Sequence, residues 1–146
     1  MVVAIATVAL TVEATAATIA GVYNTGLSDV DEDETGTLDI RFHPCKDEPD
    51  ETCGTVEAAN NPSNPDAPDV LPDGSPLVGF TMIKGLVDKG DGKFRKGKIN
   101  AIDESFDKGK MVWYDVKIDD EASQLKVKGC VRFICPRTMY WQKISD

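Results

Sequence analysis

The sequence is poor in the residues and motifs of common enzymes. It has one histidine, His43, and lacks Gly-x-Ser-x-Gly, His-Glu-x-x-His, Cys-x-x-Cys and a phosphate-binding glycine loop. These patterns carry nucleophilic, zinc-dependent, redox and phosphate-binding chemistry. We therefore expect no enzymatic activity and no cofactor, and we expect His43, beside Pro44 at a strand end, to be structural.

The chain also lacks an excess of basic residues. Sixteen Lys and Arg stand against 25 Asp and Glu, which gives a net charge of −9. Binding to nucleic acid needs a concentrated basic face that neutralises phosphates. We therefore expect no nucleic-acid partner.

Long apolar runs are missing as well. The longest, residues 1–12, is too short to span a bilayer. Ala14-Thr15-Ala16 then places small residues where a signal peptidase cleaves, although no Lys or Arg precedes the run. We predict a signal peptide over residues 1–16 and a periplasmic or secreted mature chain with no membrane span. The alternative is that the run forms a buried strand.

The four cysteines form two local pairs, Cys45 with Cys53 and Cys130 with Cys135. An even count at short spacing in an exported chain predicts disulfides. A four-thiolate zinc site is the alternative, but the two- to four-residue spacing usual within each ligand pair is absent.

Period-two alternation of apolar and polar residues dominates after residue 17, and it predicts strands. One strand contains Leu38, Ile40 and Phe42, and another contains Val116 and Ile118. About eight such segments predict an all-β domain over residues 17–146. We expect a single antiparallel barrel, lipocalin-like in architecture, or a related β-sandwich. The segment 60–76 holds five prolines, which predicts a long loop.

An acidic run invites a calcium interpretation. Asp31, Asp33 and Thr35 follow at two-residue steps, as in the first half of a calcium loop. Phe42 stands at the twelfth position, where a bidentate Glu is required. A solvated hairpin tip is therefore favoured over a metal site.

Aromatic residues supply candidates for a ligand pocket. Two adjacent pairs lie on predicted strands, so one member of each pair should face inward. Inward aromatics usually fill a core, but a barrel of about eight strands can also hold one small ligand. The pocket candidates are Tyr23, Trp113, Tyr114, Tyr140 and Trp141.

Short motifs run in a fixed order through most of the predicted mature chain. They are Gly21-Val22-Tyr23, Cys45, Cys53-Gly54-Thr55-Val56, Asn61-Pro62, Pro76-Leu77-Val78-Gly79, Ile83-Lys84-Gly85-Leu86, Gly97-Lys98-Ile99, Lys108-Gly109-Lys110, Leu125-Lys126-Val127-Lys128-Gly129-Cys130, Cys135-Pro136-Arg137 and Trp141. In this order the chain resembles the bacterial exported family catalogued as domain of unknown function 2147. Tyr23 departs from it, since the family usually has Trp there. The resemblance implies an exported β-barrel-like domain and no established activity.

Two functions remain open at this point. The first is a non-catalytic binder of a small, apolar ligand in the cell envelope. The second is a structural or protein-interaction module of the periplasm, which docks an envelope protein through the proline-rich loop. The first predicts space for a ligand inside the barrel, and the second predicts a filled interior with an exposed apolar patch near residues 62–80.

Overall fold

The computed structural model describes residues 4, 6, 18–26, 37–60, 70–71, 73–100 and 112–146. Its strands form one closed antiparallel barrel in which each strand pairs with its neighbours in sequence and the last pairs with the first. The strands are β1 (Gly21–Asn24), β2 (Thr37–Pro44), β3 (Thr52–Asn60), β4 (Thr81–Asp88), β5 (Lys93–Asn100), β6 (Trp113–Asp120), β7 (Gln124–Val131) and β8 (Ile134–Ser145). The predicted all-β barrel is confirmed, whereas the sandwich alternative is wrong because β1 and β8 close the sheet on itself.

The alternation in the sequence becomes the division between the core and the surface. In β2, Ile40 and Phe42 are buried while Arg41 between them is exposed. In β6, Val116 and Ile118 are buried in the same way. Because successive side chains of a strand face opposite sides of the sheet, each strand contributes alternate apolar residues to one interior cluster. Burial of this cluster is the main force that stabilises the barrel.

One end of the barrel has short connections, and we call it the closed end. Residues 45–51, 89–92 and 121–123 join successive strands there. Ile19, which precedes β1, is also buried at this end. Its backbone N–H donates a hydrogen bond to Oγ1 of buried Thr52 over 3.2 Å. Ile19 thus adds to the core at the closed end.

Connections alternate between the two ends of an antiparallel barrel. The β1–β2, β3–β4 and β5–β6 connections, over residues 25–36, 61–80 and 101–112, therefore join strands at the opposite end. The turn between β7 and β8, at Arg132 and Phe133, lies at the same end. We call it the long-connection end.

Both predicted disulfides are present. Cys45 bonds to Cys53 across the β2–β3 connection, and Cys130 bonds to Cys135 across the β7–β8 turn. No cysteine is free, so none of the four sulfurs is a thiolate available to zinc.

Several predicted features lie outside the described residues. These are the signal peptide of residues 1–16 apart from Ala4 and Ala6, the calcium candidates Asp31, Asp33 and Thr35, and residues 61–69 and 72 of the proline-rich segment. In the described part of that segment Val70 pairs with Pro76 and Leu71 is buried, and Leu77 directly after it is buried as well. Within the described residues, no helix has the length and apolar character needed to cross a bilayer.

Candidate functional site

Two of the aromatic pocket candidates lie in the barrel interior. Tyr23 on β1 and Trp141 on β8 are 2% and 1% exposed. Phe42 lies between them, with ring centroids 5.6 Å from Tyr23 in an edge-on arrangement and 6.3 Å from Trp141. This geometry is typical of aromatic packing in a core. Tyr23 and Trp141 therefore fill the interior rather than leave it open around them.

The surroundings of Tyr23 keep its phenol neutral. Burial raises the pKa of Tyr23 above its ordinary value of 10.0, and the carboxylate of Asp120 raises it further, while Lys143 acts in the opposite direction. Both effects disfavour the phenolate. Tyr23 therefore releases its proton only at strongly alkaline pH, which does not favour acid–base chemistry at this residue.

The other aromatic candidates lie apart from this stack. Tyr114 on β6 pairs with Ile99 and is half-buried, whereas its neighbour Trp113 pairs with Asn100 and faces the other side of the sheet. Tyr140 is 49% exposed on the outer surface of β8. The five candidates thus do not form one pocket, and their role in ligand binding stays a prediction.

A ring of half-buried apolar residues surrounds the interior at the long-connection end. Tyr114 is the only member that we selected from the sequence. Most members lie at or next to strand ends, and Met139 lies on the part of β8 that extends past its last pair with β1, Asn24 with Gln142. All pack against the core while remaining partly open to solvent. This apolar rim consists of Leu38, Ala59, Phe80, Tyr114 and Met139.

A buried polar group lies at the same end of the barrel, on the face of the sheet that it shares with Trp113. Asn100, the last residue of β5, is 0% exposed, and neither its amide nitrogen nor its amide oxygen has a hydrogen-bond partner within the described part of the chain. Leaving a buried donor or acceptor unpaired costs about 1–3 kcal/mol. Such a cost is tolerated in native structures where a water or a ligand completes the bonding. No sequence pattern marks Asn100 as a site residue, since an Asn at the end of a strand is typical of a turn.

Trp113 connects Asn100 with two further side chains. Its ring lies 6.2 Å from the ring of Phe80, and Lys84 Nζ lies 4.0 Å above its centroid. A lysine over an indole at the protein surface contributes about 0.5–1 kcal/mol. The rings of Trp113 and Phe80 thus form an aromatic surface beside Asn100. We call Asn100, Trp113, Phe80 and Lys84 the amide site.

Three cations on the outer surface of β5, β6 and β7 are paired with carboxylates. Lys98 on β5 bonds to Asp115 on β6, and Arg95 lies 2.9 Å from Asp119. Lys128 on β7 approaches the same Asp119 at 3.8 Å. These pairs lower the positive potential of the β5–β7 surface, so it does not favour a strongly anionic ligand.

His43, the single histidine of the sequence, has hydrogen-bond partners on both sides of its ring. Its Nε2 hydrogen bonds with Thr55 Oγ1 at 2.7 Å and its Nδ1 with the carbonyl oxygen of Pro44 at 2.8 Å. Both ring nitrogens are thus engaged. In the described parts of the chain, no group of three His, Cys, Asp or Glu residues is arranged to hold a metal ion.

Comparison with solved structures gives the same architecture. The barrel is similar to a structure described as "Protein HP1028 from the human pathogen Helicobacter pylori belongs to the lipocalin family", with a TM-score of 0.62 and 15% sequence identity. The alignment covers 87% of this chain and 83% of that chain. At this identity the likeness shows the fold alone. A comparison with curated proteins finds no match.

A family model matches residues 28–143, which include every strand from β2 to β7 and most of β8. The match covers more than half of the chain and contains both cysteine pairs. The resemblance seen in the ordered motifs is therefore confirmed: the chain belongs to the family described as uncharacterized protein conserved in bacteria (DUF2147).

Proposed function

We propose that this barrel binds a small, largely apolar molecule at its long-connection end. The observation that carries the proposal is the amide of Asn100, which is buried at this end and has no hydrogen-bond partner among the described residues. Ligand sites in small barrels lie at the mouth and combine apolar walls with a few fixed polar groups. The lipocalin-like fold supports this use of the mouth.

The residues around Asn100 define the chemistry of the ligand. A primary amide offers both N–H donors and a carbonyl acceptor. A carboxylic acid, a carboxamide or an alcohol can therefore bond with it, whereas a pure hydrocarbon cannot. Phe80 and Trp113 would pack against the apolar body, and the rim would cover the remainder. We infer a ligand with one hydrogen-bonding group and an apolar body.

The proposed place of action is the cell envelope. Two disulfides support it, because such bonds persist in oxidising compartments and are rare in the bacterial cytosol. The predicted signal peptide over residues 1–16 points the same way. The proposed role is non-catalytic, since His43 is engaged in structural hydrogen bonds and the sequence carries no common catalytic motif.

The test is native mass spectrometry of the protein purified from its own host. We expect a co-purified small molecule on the native protein. Asn100→Leu should lose it, because the isobutyl side chain removes both bonding groups. The matched control is Asn60→Leu, which changes an exposed asparagine on β3. An empty native protein that also fails to bind the apolar fluorescent probe N-phenyl-1-naphthylamine would overturn the proposal.

A second candidate function is that of a protein-interaction module. Val70 and Val78 are 49% and 47% exposed on the segment between β3 and β4, within the patch that this function predicts. Affinity purification with the wild-type protein and a Val70→Ser/Val78→Ser variant tests it. An envelope protein retained only by the wild type, together with an empty native mass, would favour this function over ligand binding.

A further inference from the structure

The β7–β8 hairpin ends in an exposed apolar tip. Val131, Phe133 and Ile134 are 52%, 99% and 70% exposed. Arg132 and Pro136 lie beside them on the same hairpin. Large apolar side chains grouped in this way mark surfaces that meet another apolar phase or partner.

The hairpin is rigid before it meets a partner. Val131 pairs with Ile134 across a two-residue turn formed by Arg132 and Phe133. The Cys130–Cys135 disulfide bridges the same hairpin directly below the tip. A tip held in one conformation loses little conformational entropy on binding. Exposure of Phe133 is therefore a fixed property of the fold.

The charge of the hairpin differs from that of the rest of the chain. Residues 124–137 contain Lys126, Lys128, Arg132 and Arg137 and no acid, which gives +4 within a chain of net charge −9, so the remainder carries −13. Lys128 is partly neutralised by Asp119 at 3.8 Å, whereas Arg132 is exposed at the tip and is the cation of this segment best placed to meet phosphate groups there. A long arginine side chain such as Arg132 can contact phosphate groups while the neighbouring apolar side chains lie in an apolar phase.

The size of the tip indicates what kind of partner it fits. A stable protein interface buries about 800 Å² on each partner, which is far more than the few residues of one turn supply. A phospholipid bilayer needs no matching shape, and a few apolar side chains can enter its boundary region while cations contact the headgroups. We propose that the β7–β8 hairpin docks the long-connection end of the barrel onto a phospholipid bilayer, with Phe133 and Ile134 inserted and Arg132 at the phosphates. This docking does not depend on the identity of any ligand of the amide site.

The experiment is flotation of the full chain with vesicles of phosphatidylethanolamine and phosphatidylglycerol. We expect the wild type to float with the vesicles. Phe133→Ser should weaken binding about tenfold, since one lost aromatic insertion corresponds to about 1.4 kcal/mol or more. Arg132→Glu should weaken it too. The matched control is Ile144→Ser, because Ile144 is 52% exposed near the C-terminal end of β8, away from the hairpin.

Three results would overturn the docking proposal. The first is that the wild type remains unbound at every lipid concentration. The second is that Phe133→Ser floats as well as the wild type, and the third is that Ile144→Ser loses binding to the same extent as Phe133→Ser.

Sedimentation without vesicles tests whether a second copy of the chain binds the tip. If the wild type forms a dimer and Phe133→Ser is a monomer, the tip is instead an interface with a second copy of the chain. Ligand release in native mass spectrometry is measured separately, so failure of docking is distinguishable from failure of the proposed function.

Discussion

Gly97 on β5 lies so close to the side chain of Leu86 on β4 that a side chain at position 97 would collide with it. A Cβ atom built on Gly97 would lie 2.6 Å from Leu86 Cδ2 and 2.9 Å from Val116 Cγ1. Leu86 is 0% exposed, so its side chain has little freedom to move away. Side chains of β4 and β6 therefore fill the space beside Gly97 on β5.

Gly97→Ala should destabilise the protein. Overpacking of a tight core costs about 1–3 kcal/mol, and we expect a loss in that range in urea unfolding. The matched control is Gly129→Ala on β7, where the nearest atom to an added Cβ is Arg137 Cβ at 4.0 Å. Equal stability of the two variants would show that Leu86 moves aside and would contradict the packing argument.

Removal of the hairpin disulfide should lower stability without unfolding the barrel. The two cysteines of Cys130–Cys135 are 5 residues apart, and those of Cys45–Cys53 are 8 apart. Short loops of this kind contribute about 2–3 kcal/mol in the chain-entropy model. We expect Cys130→Ser/Cys135→Ser to lose about that amount in urea unfolding. An oxidised wild type whose intact mass equals that of the fully reduced chain would contradict the pairing itself.

Titration of Tyr23 should make the folded state less stable at alkaline pH. Burial raises its pKa above the ordinary value of 10.0, so the folded protein holds this proton at pH values where the unfolded chain has released it. The free energy of unfolding therefore falls as the pH rises above about 10. Below that pH Tyr23 is neutral in both the folded and the unfolded chain, and its titration costs no stability. Tyr23→Phe should flatten this alkaline decline. The free energy of unfolding, measured for both proteins from neutral to alkaline pH, checks the sign.

The strands were predictable because their signal is local. The alternation of Leu38, Ile40 and Phe42 with polar residues already describes a strand with one buried face. Closure of the sheet was less certain, since it depends on pairing between Val22 and Ser145 at opposite ends of the chain. No local pattern records that contact, which is why barrel and sandwich both remained open.

The candidate site was harder to predict than the fold. Of the apolar rim, Tyr114 alone was predicted, because it belongs to an adjacent aromatic pair on a strand, whereas single apolar residues such as Leu38 or Phe80 at a strand end are not marked by any local pattern. Asn100 was missed for a related reason. Its burial depends on how the ends of β5 and β6 pack in three dimensions, and the sequence shows only a polar residue before a long connection.

The two tryptophans offer a direct way to locate the ligand. Trp141 is 1% exposed inside the barrel, whereas Trp113 is half-buried at the amide site. In Trp113→Phe the remaining indole should emit at short wavelength and resist quenching by acrylamide. In Trp141→Phe the remaining indole should emit at longer wavelength and be quenched by acrylamide.

Energy transfer from each tryptophan to N-phenyl-1-naphthylamine then locates the bound probe. A probe at the amide site should quench the emission of Trp141→Phe more strongly than that of Trp113→Phe, because Trp113 lies beside Asn100 across the β5–β6 pair. Stronger transfer from Trp141 would place the probe deep in the interior and would contradict a site at the long-connection end.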